Sequence, residues 1–451
     1  MISTATTPGL RVLLFSACLA FTLPAVLLSC GNAASNKEQS ALNDESGIPV
    51  LLEREGELAK AQEWPRTKEK VGELRKKAIS NPDDVKSRLH LATIYISEAR
   101  ITGNSYYHQA SVKLLDNVIA IQPTNFEAYT YKASIAMSLH QFADAKKLAE
   151  KARSINPDNA YVCGVLVDAY VELGNYKEAI AMSDKMQELK PSLESYARAS
   201  YLREIYGDYP GAIQAMQMAV QAGAAGTESG EWARVTLGDL YLNTGMLDTA
   251  RMLYETTLSL RPDFPSAEIG LAKVEQAAKN YDSAIKHTEN AIKIVSEVAY
   301  VSLLGELYEQ KGDDTKAKEI RKDVIKLLEE GEKEQKNNLM PHNGNRELAQ
   351  AYLEAGDYDK AITFAKNDLA LRPQNIDANE LLAWIYYKNG NYATATIHAG
   401  KMLATNSMNA DKLYKAGLIY TKANDKEKGS KYSQMSGKVN PYHKHSLIAA
   451  K

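Results

Sequence analysis

Three prolines, Pro123, Pro157 and Pro191, stand 34 residues apart, and Pro373 and Pro441 stand twice that interval apart. A second mark recurs beside them: Gly174-Asn175-Tyr176 with Ala179, Gly207-Asp208-Tyr209 with Ala212, Gly356-Asp357-Tyr358 with Ala361, and Gly390-Asn391-Tyr392 with Ala395. Asn280-Tyr281 with Ala284 is the same turn without its glycine. Leu348 to Pro373 shows the unit in full. Leu348, Ala349 and Tyr352 share a helical face, Gly356 ends that helix, and a second helix opens at Tyr358 and closes before Pro373. Glycine just past a helix end takes the left-handed conformation that caps it. Alanines let two antiparallel helices approach closely. Proline stops the second helix, having no N–H to donate.

This pattern resembles the tetratricopeptide repeat (TPR), a helix–turn–helix unit of 34 residues. The resemblance implies an all-α solenoid of helical hairpins, about nine to ten of them, coiled as a right-handed superhelix. Repeats are expected at 84–341 (one to seven) and 342–441 (eight to ten), with a helical cap at 51–83 and a tail at 442–451. Trp64-Pro65 interrupts the cap. In the first repeat, a seven-residue insertion around 99–106 is expected to enlarge the turn. Gly223 to Gly230 reads as a connector without the Gly-Lys-Ser/Thr of a phosphate loop. The second helix of repeat seven runs long through a charged stretch, and 325–341 is the candidate break between the two blocks. In the last repeat Gly429, Ser433 and Ser436 replace packing alanines, which reads as a cap.

The 451 residues suffice for several domains or one solenoid, and an apolar content of 45% predicts a folded core. A net charge of −2 supplies no field for nucleic acid. Residues 1–29 read as an export signal: Arg11 flanks an apolar run from Val12 to Leu28 that is short for a membrane span. The run ends Leu27-Leu28-Ser29-Cys30, which resembles a bacterial lipobox and implies lipidation at Cys30. Gly31 after it favours the outer membrane, and the lack of acidic residues there favours its periplasmic face. Residues 30–50 are small and polar and read as a flexible tether.

No catalytic motif is present, and no enzyme, cofactor or metal is expected. His443 and His445 lack further ligands nearby, and the other histidines are scattered. Cys163 is expected to be buried and inert. Asp168 and Glu172, four apart, read as a solvated acidic face.

In TPR proteins the first helices of successive repeats line a concave groove. Carried onto this chain, the lining positions include Tyr161, Asp168, Tyr201, Trp232, Asp239, Arg346, Trp384 and Tyr387, with Glu204, Gln276, Glu306, Glu309, Gln350, Asp377 and Glu380 among their neighbours. Carboxylates and aromatics dominate, which suits a basic or mixed peptide. Thr130, Ser134, Gly164 and Asp168 stand where carboxylate-clamp TPRs carry Lys and Asn, so an acidic C-terminal ligand is not expected. The reading is a lipid-anchored scaffold for protein partners, joined to the membrane through Cys30, with no nucleic acid. The alternative is a glycan- or nutrient-binding lipoprotein beside an outer-membrane transporter.

Overall fold

The computed structural model describes residues 40–42, 44–61, 63–335 and 338–443, so the expected export signal at 1–29, the expected lipidation site Cys30, and His445 lie outside the described residues. The described elements are helical: twenty-one α-helices of 11 to 22 residues and one short 3-10 turn, Gly56–Lys60. A lone helix, Trp64–Ser80, precedes ten antiparallel pairs. Hairpins 1 to 5 are Val85–Thr102 with Tyr106–Ile121, Phe126–Ser138 with Phe142–Ile155, Ala160–Glu172 with Tyr176–Leu189, Leu193–Ile205 with Tyr209–Ala222, and Glu228–Asn243 with Leu247–Leu260. Hairpins 6 to 10 are Pro265–Ala277 with Tyr281–Ile294, Val298–Lys311 with Asp314–Gln335, Asn345–Ala355 with Tyr358–Leu371, Ile376–Lys388 with Tyr392–Met402, and Ala410–Lys422 with Lys426–Val439.

Local chemistry explains the boundaries. Asn125, Asn159, Asn375 and Asn409 each cap a first helix, the side-chain oxygen accepting from a first-turn amide. Asp208, Asp357, Asn391 and Asp425 do the same for second helices. Gly174 and Gly356 take φ of +79° and +80° between their two helices, where a Cβ would be strained. Ala145, Ala179, Ala212, Ala250, Ala284, Ala317, Ala361 and Ala395 are all fully buried at the helix crossings. In hairpin 10 a Cβ on Gly429 would lie 3.0 Å from the Thr421 backbone nitrogen, so that pair packs even more closely.

Four local expectations change. The insertion of hairpin 1 lengthens its first helix to 18 residues and leaves a short turn around Gly103, because a helix satisfies the added backbone polar groups internally. Pro65 starts the helix Trp64–Ser80 at a position where its missing N–H costs nothing. Thr227 caps a helix that already runs from Glu228, so Ser229 and Gly230 belong to hairpin 5. The later part of the expected tether, 44–50, is docked. Ile48 is buried, and the hydroxyls of Tyr95 and Tyr106 donate to the carbonyls of Pro49 (2.7 Å) and Val50 (2.6 Å).

The solenoid meets itself six hairpins on. Asn343 N donates to Leu139 O (3.0 Å), and Asn375 Nδ2 to Glu172 O (3.0 Å). Thr405 Oγ1 donates to Ile205 O (2.8 Å), and Asn440 Nδ2 to Leu242 O (3.0 Å). Each bond joins the turn of hairpins 2 to 5 to the segment ahead of hairpins 8, 9 and 10, or to the chain just past hairpin 10. Apolar contacts follow the same register: Met340 joins the core of hairpins 1 to 3, Ile376 that of hairpins 3 and 4, and Met408 and Val439 that of hairpins 4 and 5. Across the candidate break, Val324 and Leu328 share a core with Leu348 and Tyr352.

Candidate functional site

The first helices of neighbouring hairpins face one another along the inner side, and their polar side chains are largely tied from one hairpin to the next. Tyr161 and Ser134 hydroxyls bond at 2.6 Å. Asp168 receives two bonds from Arg198, at 2.9 and 2.7 Å. Burial pushes Asp168 up to about 6 against the pull of Arg198, which leaves the pair ionised at neutral pH. Lys412 pairs with Asp377 (2.5 Å) and with Glu380, and Lys415 pairs with Glu380 (2.7 Å) and Asp411 (2.6 Å). Burial alone would raise Asp377, but Lys412 and then Arg346 outweigh it and hold the carboxyl down to about 2.

The expected lining residues therefore divide. Asp168 is 3% exposed, and Tyr201 and Tyr387 are 7% exposed, so these three build the wall and offer a partner almost no surface. Trp232 is half-buried between two cores. Trp384 stacks on Tyr387 (4.8 Å, 9°), and its ring already carries Lys388 and Lys415 of the chain itself, at 5.1 and 5.7 Å. Tyr161, Asp239 and Arg346 remain partly exposed. Asp168 and Glu172 are both buried, and each holds a different arginine, Arg198 and Arg372, so they form neither a solvated face nor an acidic pair. Cys163 is fully buried, and burial raises its thiol.

Four inner-face carboxylates are met by neutral donors, with no ion pair among the described residues. Glu204 accepts from Asn243 (3.4 Å) and Tyr209 (3.5 Å), Asp239 from Tyr254 (2.8 Å), Glu306 from Gln276 (3.0 Å) and Gln310 (2.8 Å), and Glu354 from Gln350 (2.8 Å). Burial pushes Glu204, Glu306 and Glu354 each up to about 7 and raises Asp239 as well. Glu354, Asp411 and Glu309 add repulsion at Glu306. These side chains are partly exposed, so an incoming cation can reach them, and its charge would favour their ionised forms. Of the four, Glu204, Asp239 and Glu306 were among the lining positions read from the sequence, whereas Glu354 was not.

This has a measurable consequence. A carboxyl raised in the folded state binds a proton that the unfolded chain has released, so it costs stability as pH climbs from its ordinary value of 4.5 through about 7. Glu306→Gln should therefore stabilise the chain at pH 8 by up to about 3 kcal/mol. The gain should shrink on acidification and vanish near pH 4.5, as thermal melts of both proteins across that range would show.

The histidines are not all scattered. His140, at the turn of hairpin 2, lies against His342 and Glu347 at the start of hairpin 8, and their ligand atoms fall within 4.8 Å of one another. No local motif announces the group, because its members are some 200 residues apart in the chain.

Sequence models of the tetratricopeptide repeat match residues 136–200 and 352–402, and a second such model matches 233–264. With ten packed hairpins of that form, the chain is a TPR repeat protein, a class whose repeats serve protein–protein interaction. No curated protein matches the sequence. Among solved structures it is similar to TTC0263, a thermophilic TPR protein in Thermus thermophilus, at 17% identity over 46% of this chain and 99% of that one (TM-score 0.36). It is also similar to MamA, at 23% identity over 36% of this chain and 94% of that one (TM-score 0.29). YrrB, a TPR protein with an unusual peptide-binding site, aligns at 20% identity over 40% of this chain and 91% of that one (TM-score 0.28).

Proposed function

We propose that this chain is a lipid-anchored scaffold of the bacterial cell envelope, held at the periplasmic face of the outer membrane through Cys30, whose inner face takes a lysine- or arginine-bearing segment of a partner protein. The observation that carries the ligand class is the set of four inner-face carboxylates, Glu204, Asp239, Glu306 and Glu354, that form no ion pair among the described residues while Asp168, Asp377, Glu380 and Asp411 are all paired. A partner's ammonium or guanidinium completes them with charge-assisted hydrogen bonds. The apolar leader ending Leu27-Leu28-Ser29-Cys30 supports the anchor. No helix among the described residues is long and apolar enough to cross a membrane.

The test is crosslinking in cells with the full-length chain, followed by capture and mass spectrometry, in parallel with Cys30→Ser and with Glu306→Gln/Glu354→Gln. One or two enriched proteins, crosslinked through basic segments, lost with the double variant and depleted when Cys30 is removed, are the expected result. A transporter as sole partner, together with binding to a soluble glycan panel, would replace this reading with nutrient uptake. Partners unaffected by the double variant would sink the basic-segment assignment.

A further inference from the structure

The group at hairpins 2 and 8 lies where the solenoid meets itself, and it is built from both sides. Asn343 Nδ2 donates to His140 O (3.4 Å), Gln141 Nε2 to Pro341 O (2.6 Å), and His342 N to Gln335 Oε1 (2.9 Å). These bonds hold the two backbones in register while the side chains converge between them. His140 and His342 have ring centres 4.9 Å apart, and Phe142 stacks on the far side of His140 at 5.5 Å.

The side chains are arranged for something other than one another. Glu347 has a side chain only 1% exposed, with His140 Nδ1 3.2 Å from one oxygen, yet neither of its oxygens has a hydrogen bond of proper geometry. His342 Nε2 is buried without a partner. Such groups are costly to leave unmet. Burial lowers His342 to about 4, so its ring is neutral with a lone pair available. Burial would raise Glu347, but the neighbouring His140 outweighs it and holds the carboxyl low. His108 of hairpin 1, with its own Nδ1 buried and unpartnered, is the next imidazole outward. A small void lined by Leu328, Gly331, Glu332, Gln335, Gly344 and Leu348 borders His342.

His140 has φ of +55° at the turn position that Gly174 fills in hairpin 3 and Gly356 in hairpin 8, and that Lys279 and Asn424 fill in hairpins 6 and 10. An L-residue is disfavoured there, so an imidazole is present where glycine would fold more readily.

We propose that His140, His342 and Glu347 bind a divalent first-row transition cation of the zinc(II) class, which staples hairpin 2 to hairpin 8. Two imidazoles and a carboxylate are borderline ligands of the kind such ions take. Bond lengths of about 2.0–2.1 Å put tetrahedral ligand atoms roughly 3.3 Å apart, so closing the group around an ion needs side-chain shifts on the order of 1 Å. Water completes the shell. The ion meets the unpartnered Nε2 of His342 and takes the place of the contact between His140 Nδ1 and Glu347.

The test uses the full-length chain, purified without a histidine tag and stripped with chelator. Zinc should bind at one equivalent and raise Tm, and cobalt(II) at the same site should give visible d–d absorption. His140→Gly relieves the left-handed strain but also removes the imidazole beside the buried Glu347, so its metal-free melt is measured beside wild type and Glu347→Gln serves as the second, independent variant. The zinc affinity of His140→Gly should fall by more than about tenfold, with the loss of the cobalt spectrum. Glu347→Gln should likewise leave the metal-free fold intact and abolish binding. A wild-type chain that takes up neither ion at one equivalent overturns the proposal, as does binding that survives in both variants.

Discussion

Arg372→Ala should cost about 3–5 kcal/mol of stability, the largest loss expected for a single substitution in this chain. The guanidinium is 1% exposed and donates to both oxygens of Asp368 (2.8 Å each) and to Glu172 (2.5 Å). It also lies over the Phe142 ring at 5.2 Å. Coulomb attraction from Asp368 and Glu172 outweighs a burial that would otherwise lower its proton affinity. Alanine leaves two carboxylates with no cation, in a place that water cannot enter freely. The penalty is one of uncompensated charge, so Arg372→Met combined with Asp368→Leu and Glu172→Leu should recover most of it. Urea denaturation followed by helical circular dichroism measures both. An Arg372→Ala loss below about 1 kcal/mol would mean that the triad is open to solvent, as a surface ion pair is.

Gly174→Ala should be far more disruptive than Gly356→Ala, although both glycines have the same backbone conformation. At Gly356 a Cβ would meet nothing within 4 Å, so the substitution carries only the left-handed strain of about 1 kcal/mol. At Gly174 the Cβ would stand 2.5 Å from the backbone carbon of Gln374 and 2.7 Å from its oxygen, in the segment ahead of hairpin 9. Backbone cannot yield as a flexible side chain does, so the two turns must part. The expected loss is about 3 kcal/mol or more, strain and overpacking together. Small-angle scattering should show Gly174→Ala longer than the parent and Gly356→Ala unchanged. Equal effects of the two substitutions would mean that hairpins 3 and 9 do not touch in solution.

Both predictions concern contacts that no reading of the sequence found, and the reason is physical. The hairpins were legible because their determinants are local. A glycine past the helix end, an Asn or Asp cap, an aromatic opening the second helix and an alanine at the crossing all act within one 34-residue unit. Ala361 and Ala395 are buried as that pattern requires. Where the reading failed locally, at the insertion of hairpin 1 and at Glu228 to Gly230, polar or glycine-rich stretches were read as connector. Helix formation satisfied their backbone groups instead.

The inner face was half legible. The expected lining residues lie on the first helices of their hairpins, but periodicity does not say which of their charges has a partner. Asp168 finds Arg198 one hairpin on, and Glu172 finds Arg372 six hairpins on. Glu306 and Glu354 find none, which changes their chemistry more than their identity does. His140 and His342 looked scattered for the same reason.

What the sequence determined by itself is thus the unit and its repetition: the helix ends, the packing face of each helix and an all-α chain of hairpins. Only the tertiary structure decided how far the solenoid curls. Each junction adds a small rotation set by side-chain packing between neighbouring hairpins, and those rotations accumulate over six units before the chain touches itself. A sum of small terms is invisible in any one of them. It brings Arg372 to Glu172, Gln374 to Gly174, and two histidines to one buried glutamate.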